Sequence, residues 1–539
     1  MRLAPSAHVD TFCRDNLPPR HLWPRFLFDL PELRYPERLN CAEQLLDETI
    51  RRFGPDRPCL RTDGEMWTYG DLARRSNQIA HVLTKDFGVV PGNRVLLRGP
   101  NNPWLVATWF AVLKMGAVAV TTMPLLRAKE VSELIELTRP SVLVTDQRYA
   151  DVPGGVAVLP YGGDDPADLV ARAAAQDEAF TCVDTAADDV ALLAPTSGTT
   201  GKPKATMHFH RDVLANADTF AKYVLKPTID DVFTGTPPIG FTFGLGGLVV
   251  FPLRVGASTL LLERATPNEL AAAIERHRVT VLFTAPTAYK AMLASENVIG
   301  LKGLRRCVSA GEHLPAATWE EFHRATGVRI INGIGGTELL HIFVSAADED
   351  IRPGSTGKTV PGFQAAILDE EGVPVPDGVA GRLAVRGPTG CRYLADERQA
   401  QYVQGGWNIT GDTYIRDADG YFWYQARNDD MIVSSGYNIA GPEVEQALIE
   451  HPDVVETAVI GAPDATRGMI VQAFVVLRPG VPADAAKATE LQDFVKATIA
   501  PYKYPRAVEF VATLPKTPSG KIQRYKLRDA ATTSRSHDS

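Results

Sequence analysis

The stretch that decides the fold class is Arg94-Val-Leu-Leu-Arg-Gly-Pro-Asn-Asn-Pro-Trp-Leu-Val-Ala-Thr-Trp-Phe-Ala-Val-Leu-Lys-Met-Gly-Ala-Val-Ala-Val-Thr121. Its first five residues form a short apolar run closed by arginines, which reads as a buried strand. Asn102 can cap a helix, and Pro103 suits the first helical position. The helix predicted from there reaches about Met115 and stops at Gly116. Residues 117–121 read as a second strand. A further helix covers residues 128–137 and ends before Pro140, and residues 142–145 make a third strand. Strand, helix and strand in repetition imply a mostly parallel sheet with helices on its faces.

The pattern returns downstream. Thr266, Pro267 and Glu269 spell a capping-box start for a helix to about His277. Residues 279–284, 305–309 and 328–332 read as further strands. From about Gly354 the texture changes to short strands between Gly, Pro and Asp turns, as at residues 369–372 and 376–378. Near Asp429 a new alternation begins, with a helix over 442–450 and strands over 457–461 and 472–477. The expected fold is therefore α/β. A large N-terminal domain, residues 1–428, combines parallel-type sheets and helices with a β-rich subdomain over about 354–428. A small, mobile α+β C-terminal domain follows over 429–539. The polar residues 532–539 are expected to fray.

Composition narrows the function. The chain has 539 residues, 45% of them hydrophobic, and a formal net charge of -8. That sign, with acidic and basic residues mixed along the chain, argues against a nucleic-acid partner. The six cysteines are scattered with no CxxC pair, which argues against a disulfide framework or a zinc site. Residues 1–10 lack a secretion pattern. The longest apolar runs, residues 104–113 and 243–253, end at Lys114 and Arg254, short of the ~20 residues a membrane span requires. The expectation is a cytoplasmic protein without a membrane partner. Oligomeric state is not readable, and a homodimer is compatible with the sequence.

The chemistry begins at Pro195-Thr-Ser-Gly-Thr-Thr-Gly-Lys-Pro-Lys204, which packs four hydroxyls, two glycines and two lysines into ten residues. Glycine lets backbone N–H groups approach a phosphate, hydroxyls donate hydrogen bonds, and lysine supplies charge. A nucleoside triphosphate is the natural ligand. The stretch is not a Walker A loop, because residue 196 is Thr and Pro203 follows Lys202. A plain Ser/Thr/Gly linker is the other reading. The loop, however, follows the apolar run 190–194 and leads towards a helix-like stretch, 212–222.

This loop closely resembles the signature of the acyl-adenylate-forming superfamily, which includes acyl- and aryl-CoA ligases, carrier-protein adenylation domains and firefly-type luciferases. Further segments resemble its motifs in the same order: Ser309-Ala-Gly-Glu312, Gly333-Ile-Gly-Gly-Thr-Glu338, Thr410-Gly-Asp412, Arg427-Asn-Asp-Asp430 with Glu443-Val-Glu445, and Pro515-Lys-Thr-Pro-Ser-Gly-Lys521. The resemblance implies ATP, Mg²⁺ and coenzyme A as cofactor and co-substrates. It implies that Thr196, Ser197, Gly198, Thr199, Thr200, Gly201 and Lys204 hold phosphates. Ala310, Gly311, Glu312, Asn332 and Gly333 would lie along the adenine side of the nucleotide. Asp412 would accept both ribose hydroxyls, with Arg427 at the ribose or phosphate. Thr337 would bind the α-phosphate, and Glu338 is the expected Mg²⁺ ligand, since Mg²⁺ prefers carboxylate and phosphate oxygens. Lys521 is the expected catalytic lysine, bridging the attacking carboxylate and the α-phosphate. Asp429 takes the hinge position, and Ser435, Gly436 and Tyr437 would line the coenzyme A path after the small domain swings.

Three stretches resemble benzoate-type aryl-CoA ligases in particular: Phe241-Thr-Phe-Gly-Leu-Gly246, Gly333 through Phe343, and Gly354-Ser-Thr-Gly-Lys-Thr-Val-Pro-Gly362. By that resemblance Phe241, Phe243, Gly244 and Leu245 line one side of a flat acid pocket, and Gly335, His341 and Ile342 the other. His341 could equally be a satisfied structural histidine. Ile334 departs from the aromatic residue common in the Gly-Thr-Glu motif, so no stacking role carries over to it. The leader, residues 6–40, resembles that of ligases for 2-aminobenzoate. The expected substrates are 2-aminobenzoate, then benzoate, then hydroxy- or halobenzoates. The alternatives are an adenylation enzyme that loads a separate carrier-protein thiol, or a non-enzymatic adenylate-binding remnant.

Overall fold

The computed structural model describes residues 3–126, 128–152, 154–197, 203–427, 431–434, 437–464, 468–499, 501–516 and 522–535. Helix Pro103–Lys114 begins as its sequence dictates: the Asn102 side chain accepts the Leu105 N–H at 3.0 Å, and Pro103 follows it. The chain leaves the helix through Gly116 at φ 68°, a left-handed turn that glycine adopts without cost. The helix is buried almost all round, Lys114 included. The Lys114 ammonium is paid for by Asp47 Oδ1 at 2.7 Å and Asn77 Oδ1 at 2.9 Å.

Four sheets form among the described residues. The first runs Ala157–Tyr161, Val142–Asp146, Arg94–Arg98, Val118–Thr122, Val190–Ser197, Pro203–Phe209. All its neighbours are parallel except the last pair, an antiparallel hairpin. The second, nine-stranded, runs from Lys358–Thr359 through Ile342–Ser345, Ile330–Gly335, Arg306–Ser309, Val281–Thr284, Val232–Gly235, Ser258–Leu260 and Pro58–Arg61 to Met66–Thr68. Its centre is parallel and its ends antiparallel. The third is antiparallel and built from Gln364–Leu368, Ala380–Arg386, Trp407–Arg416, Val403–Gln404 and Phe422–Arg427. The fourth joins Tyr437–Ala440, Met431–Ser434, Gly468–Leu477, Val454–Asp464 and Ala507–Phe510.

One hydrophobic cluster spans Leu39 to Phe422, and residues 432–531 hold two clusters of their own. The α/β class read from the sequence is the class observed. Two local expectations are corrected. The phosphate-loop stretch does not lead from a strand into a helix, because strand Pro203–Phe209 intervenes before helix His210–Asn216. That strand is buried on both faces over Ala205–Phe209, so it lacks the alternation that betrays a half-exposed strand. Residues 532–535, expected to fray, form the end of helix Arg524–Arg535, and residues 536–539 lie outside the described residues. Among the described residues no helix is long and apolar enough to cross a membrane, and all six cysteines are free.

Candidate active site

The hairpin sets Thr196 opposite Lys204 and Ser197 opposite Pro203. Thr196, Ser197, Pro203 and Lys204 thus belong to two paired strands at one edge of the first sheet. Gly198, Thr199, Thr200 and Gly201 lie outside the described residues. The Thr196 hydroxyl is buried without a hydrogen-bond partner. The Lys204 ammonium reaches across to Glu338 Oε1 at 3.0 Å and donates to the Tyr393 hydroxyl. It lies 4.3 Å from the Tyr393 ring centroid and 5.6 Å from that of Tyr402.

Glu338 sits in a single 3₁₀ turn, Thr337–Leu339, between strands Ile330–Gly335 and Ile342–Ser345. The turn ends at Leu340 with φ 72°, a left-handed conformation that costs a branched residue roughly 1–3 kcal/mol and persists only where its surroundings enforce it. Side chains from elsewhere grip each residue of the turn. His208 Nε2 donates to the Thr337 carbonyl at 2.8 Å, the Tyr393 hydroxyl donates to Glu338 Oε1 at 2.6 Å, and Thr389 Oγ1 donates to the Leu339 carbonyl at 2.8 Å. Because a carbonyl only accepts, His208 carries its proton on Nε2. Burial keeps that imidazole neutral, with its pKa pushed down to about 4. Burial pushes the Glu338 carboxyl up, but the Lys204 charge and the Tyr393 hydroxyl outweigh it, so the group is held below the usual carboxylate range. Behind the turn, Arg392 and Asp212 form a fully buried ion pair.

The remaining nucleotide candidates lie on or just beyond strands of two other sheets, residues 310–312 and 332–333 at the second and Asp412 with Arg427 in the third. Ser309 pairs with Asn332, so Ala310, Gly311 and Glu312 leave the sheet beside Gly333. Asn332 Nδ2 donates to the Ser355 carbonyl at 3.2 Å. Next to Glu312, the His313 ring stacks on Tyr424 at 5.3 Å and 25°. Tyr424 shares strand Phe422–Arg427 with Arg427, and Arg427 lies directly opposite Asp412 in the ladder. Asp412 and Arg427 are thereby cross-strand neighbours on two consecutive antiparallel strands.

The acid-pocket candidates gather around one histidine. The His341 ring is enclosed by Phe251 at 4.6 Å, Phe220 and Phe243 at 5.5 Å, and Phe283 at 6.2 Å between centroids. Both its ring nitrogens are buried without a hydrogen bond. Burial pushes its pKa down to about 3, weakly opposed by the nearby Phe243 carbonyl. Glycines make the room: a Cβ on Gly246 would lie 2.3 Å from His341 Cδ2, and one on Gly335 would lie 2.7 Å from the His341 carbonyl. Gly244 and Leu245 are buried in the short helix Thr242–Leu245, which continues as a π-helical segment. Ile342 packs on Gly333. Phe241 precedes the helix, and among the described residues its ring joins none of these ring pairs. Phe220, Phe251, Phe283, His208, Tyr393 and Tyr402 belong to the site without having been legible as such. Each is an ordinary core-type residue in its own segment.

Asp429, Ser435, Gly436 and Lys521 lie outside the described residues. Tyr437 pairs with Ser434 in the hairpin that opens the fourth sheet, and Lys516 pairs with Ile522 on either side of the lysine loop. Among the described residues the one carboxylate–histidine cluster spaced for a metal is His451, Asp453 and Glu490. Lys487 already fills it, 2.8 Å from Asp453 and 2.7 Å from Glu490.

The AMP-binding enzyme family model matches residues 46–393, and that of the AMP-binding enzyme C-terminal domain matches residues 443–521. The chain belongs to the AMP-binding enzyme family. A benzoate–CoA ligase from Thauera aromatica is 36% identical to this AMP-binding enzyme over 93% of the chain and 98% of the relative. The structure of the anthranilate CoA ligase AuaEII in complex with anthranoyl-AMP superposes with a TM-score of 0.88 at 35% identity, covering 94% of this chain and 100% of that one. A benzoate CoA ligase from Burkholderia xenovorans LB400 gives 0.84 at 33% identity, covering 91% and 100%. The enzyme is an AMP-forming acid–CoA ligase, and it uses ATP and coenzyme A.

Proposed function

We propose that this AMP-binding enzyme is an aryl-CoA ligase for a benzoate-type acid, with 2-aminobenzoate first and benzoate second. The observation that carries the reading is the box of Phe220, Phe243, Phe251 and Phe283 around a buried His341 that the Phe243 carbonyl approaches and no side chain hydrogen-bonds. A flat ring gains stacking area from such walls. A neutral imidazole offers one donor and one acceptor, and an ortho amino group can satisfy the acceptor. The similarity to ligases named for benzoate and anthranilate supports the same choice.

In the first step a carboxylate oxygen attacks the α-phosphorus of ATP and pyrophosphate leaves. In the second the coenzyme A sulfur attacks the acyl carbon and AMP leaves. Both steps bring anions together, so positioning and charge stabilisation dominate. Thr196, Ser197, Gly198, Thr199, Thr200, Gly201 and Lys204 hold the phosphates. Thr337 donates to the α-phosphate, Asp412 accepts from the ribose with Arg427 beside it, and residues 310–312 and 332–333 flank the base. Lys521 neutralises the charge where carboxylate meets phosphorus. We assign residues 1–428 and 429–539 to two domains that rotate about Asp429 between the steps, bringing Ser435, Gly436 and Tyr437 to the thiol path.

Mg²⁺ fits Glu338. The carboxylate is 12% exposed and already neutralised by a cation, Lys204, and a single carboxylate with phosphate oxygens is the ligand set this ion favours. When bound, the ion neutralises phosphate charge. The test is pyrophosphate release with a panel of aromatic acids, with and without coenzyme A. Release with benzoate and 2-aminobenzoate, with CoA thioester formed, is expected. Release without a thioester would reassign the enzyme to carrier loading, and no release with any aryl acid would end the aryl reading.

A further inference from the structure

The Thr337–Leu339 turn is held by residues that none of the superfamily motifs quoted above contains. Tyr393 is the most telling. It is fully buried, and its backbone N–H is tied to Gln399 Oε1 at 2.8 Å. Its backbone also bridges to Thr206 in the phosphate hairpin. One hydroxyl thus connects the two pieces of the nucleotide site, donating to Glu338 Oε1 and accepting from Lys204. Burial and the adjacent Glu338 charge both push the phenol pKa far up, so this hydroxyl remains a donor at any working pH.

The geometry also separates the two oxygens of Glu338. Tyr393 and Lys204 both engage Oε1. Among the described residues no side chain hydrogen-bonds Oε2, which lies 3.6 Å from where a Cβ on Gly336 would stand. Lys204 is held beside Oε1, within 4.3 Å of the Tyr393 ring centroid and 5.6 Å of that of Tyr402. A largely buried carboxylate without a counter-charge is costly, and Lys204 supplies that charge.

Building on the reading that Glu338 faces the triphosphate, we propose that Tyr393 is a positioning residue for ATP activation. Its hydroxyl fixes Glu338 through Oε1 and leaves Oε2 open to the divalent ion that accompanies ATP. Lys204, paired with the same carboxylate, competes with that ion for its charge.

Tyr393→Phe removes the hydroxyl and keeps both the ring and the cation face. Binding of Mn²⁺ in the presence of ATP, followed by electron paramagnetic resonance of the free ion, is expected to weaken ~10-fold, the usual consequence of losing one hydrogen bond to a charged group. In pyrophosphate–ATP exchange the KM for the metal–ATP complex should rise by a similar factor while the KM for the acid stays within about twofold. Tyr393→Phe added to Glu338→Gln should cost nothing further, because the hydroxyl acts through that carboxylate. Lys204→Met should bind Mn²⁺ more tightly than wild type when ATP is absent, since its competitor is gone, and this arm does not depend on the Tyr393 variant folding. Wild-type ion affinity in Tyr393→Phe, additive losses in the double variant, or unchanged ATP-free binding in Lys204→Met would each overturn the proposal. Absence of exchange in wild type with every acid would instead sink the functional reading on which it rests.

Discussion

Substituting Gly246 by alanine tests the acid pocket without touching the nucleotide site. The new Cβ would stand 2.3 Å from His341 Cδ2, 2.7 Å from Nε2 and 3.2 Å from Phe251 Cζ. Ordinary contact begins near 3.4 Å, so the ring or the helix must yield by roughly 1 Å. The ring can shift only against its neighbours Phe220, Phe243, Phe251 and Phe283 or towards the proposed acid site. Overpacking of this kind costs about 1–3 kcal/mol, equivalent to roughly 5- to 150-fold in an equilibrium constant if the displaced ring intrudes on the bound acid. The expected result of Gly246→Ala is therefore a rise of at least ~5-fold in the KM for benzoate and 2-aminobenzoate, with the KM for ATP within about twofold. Initial rates of pyrophosphate release at saturating ATP provide the assay, with thermal unfolding as the check on folding. A folded variant with unchanged acid KM would show that His341 does not wall the pocket.

Other outcomes follow from the same geometry. Asp212→Ala strands the Arg392 guanidinium at 0% side-chain exposure and should cost about 3–5 kcal/mol in denaturant unfolding, whereas Asp212→Leu with Arg392→Leu should recover much of it. His208, His210 and His341 are held by burial at pKa values of about 4, 3 and 3. Below their ordinary value near 6.5 the unfolded chain therefore takes up protons that the folded chain refuses. Stability is full above that pH and should fall as pH drops from 6.5 towards 4, by about 1.4 kcal/mol per pH unit for each histidine. A flat unfolding midpoint across that window would contradict their burial as neutral rings. Lys521→Ala should lose ~10²–10³ in pyrophosphate–ATP exchange with ATP affinity within a few-fold; undiminished exchange would remove that lysine from the chemistry.

The frame of the fold was legible where local chemistry and tertiary context agree. Asn102, Pro103 and Gly116 mark the helix at Pro103–Lys114, and the capping box at Thr266 and Glu269 is formed as read. The strand Pro203–Phe209 was not legible, because a strand covered on both faces carries no period of two. The site divides the same way. Glycine- and hydroxyl-rich segments declare themselves because backbone approach to phosphate restricts which residues fit. The walls do not, because Phe220, Phe251 and Phe283 sit on separate helices and a strand, and each satisfies its own element as any core aromatic would. Tyr393 meets Glu338 only because an irregular segment after Arg386 crosses behind the turn, a juxtaposition with no local cause in the sequence.

The nine-stranded sheet has a consequence for how the chain is made. Strand Pro58–Arg61 finds its parallel partner in Ser258–Leu260, which leaves the ribosome about 200 residues later, or roughly 10–40 s at usual synthesis rates. During that interval Cys59 and Leu60, both fully buried in the finished protein, have only the three-residue strand Met66–Thr68 to pair with. The nascent polypeptide thus carries an open, sticky edge for a long time, and a holding chaperone or slow expression in the cold should raise the yield of active enzyme more than it raises total protein.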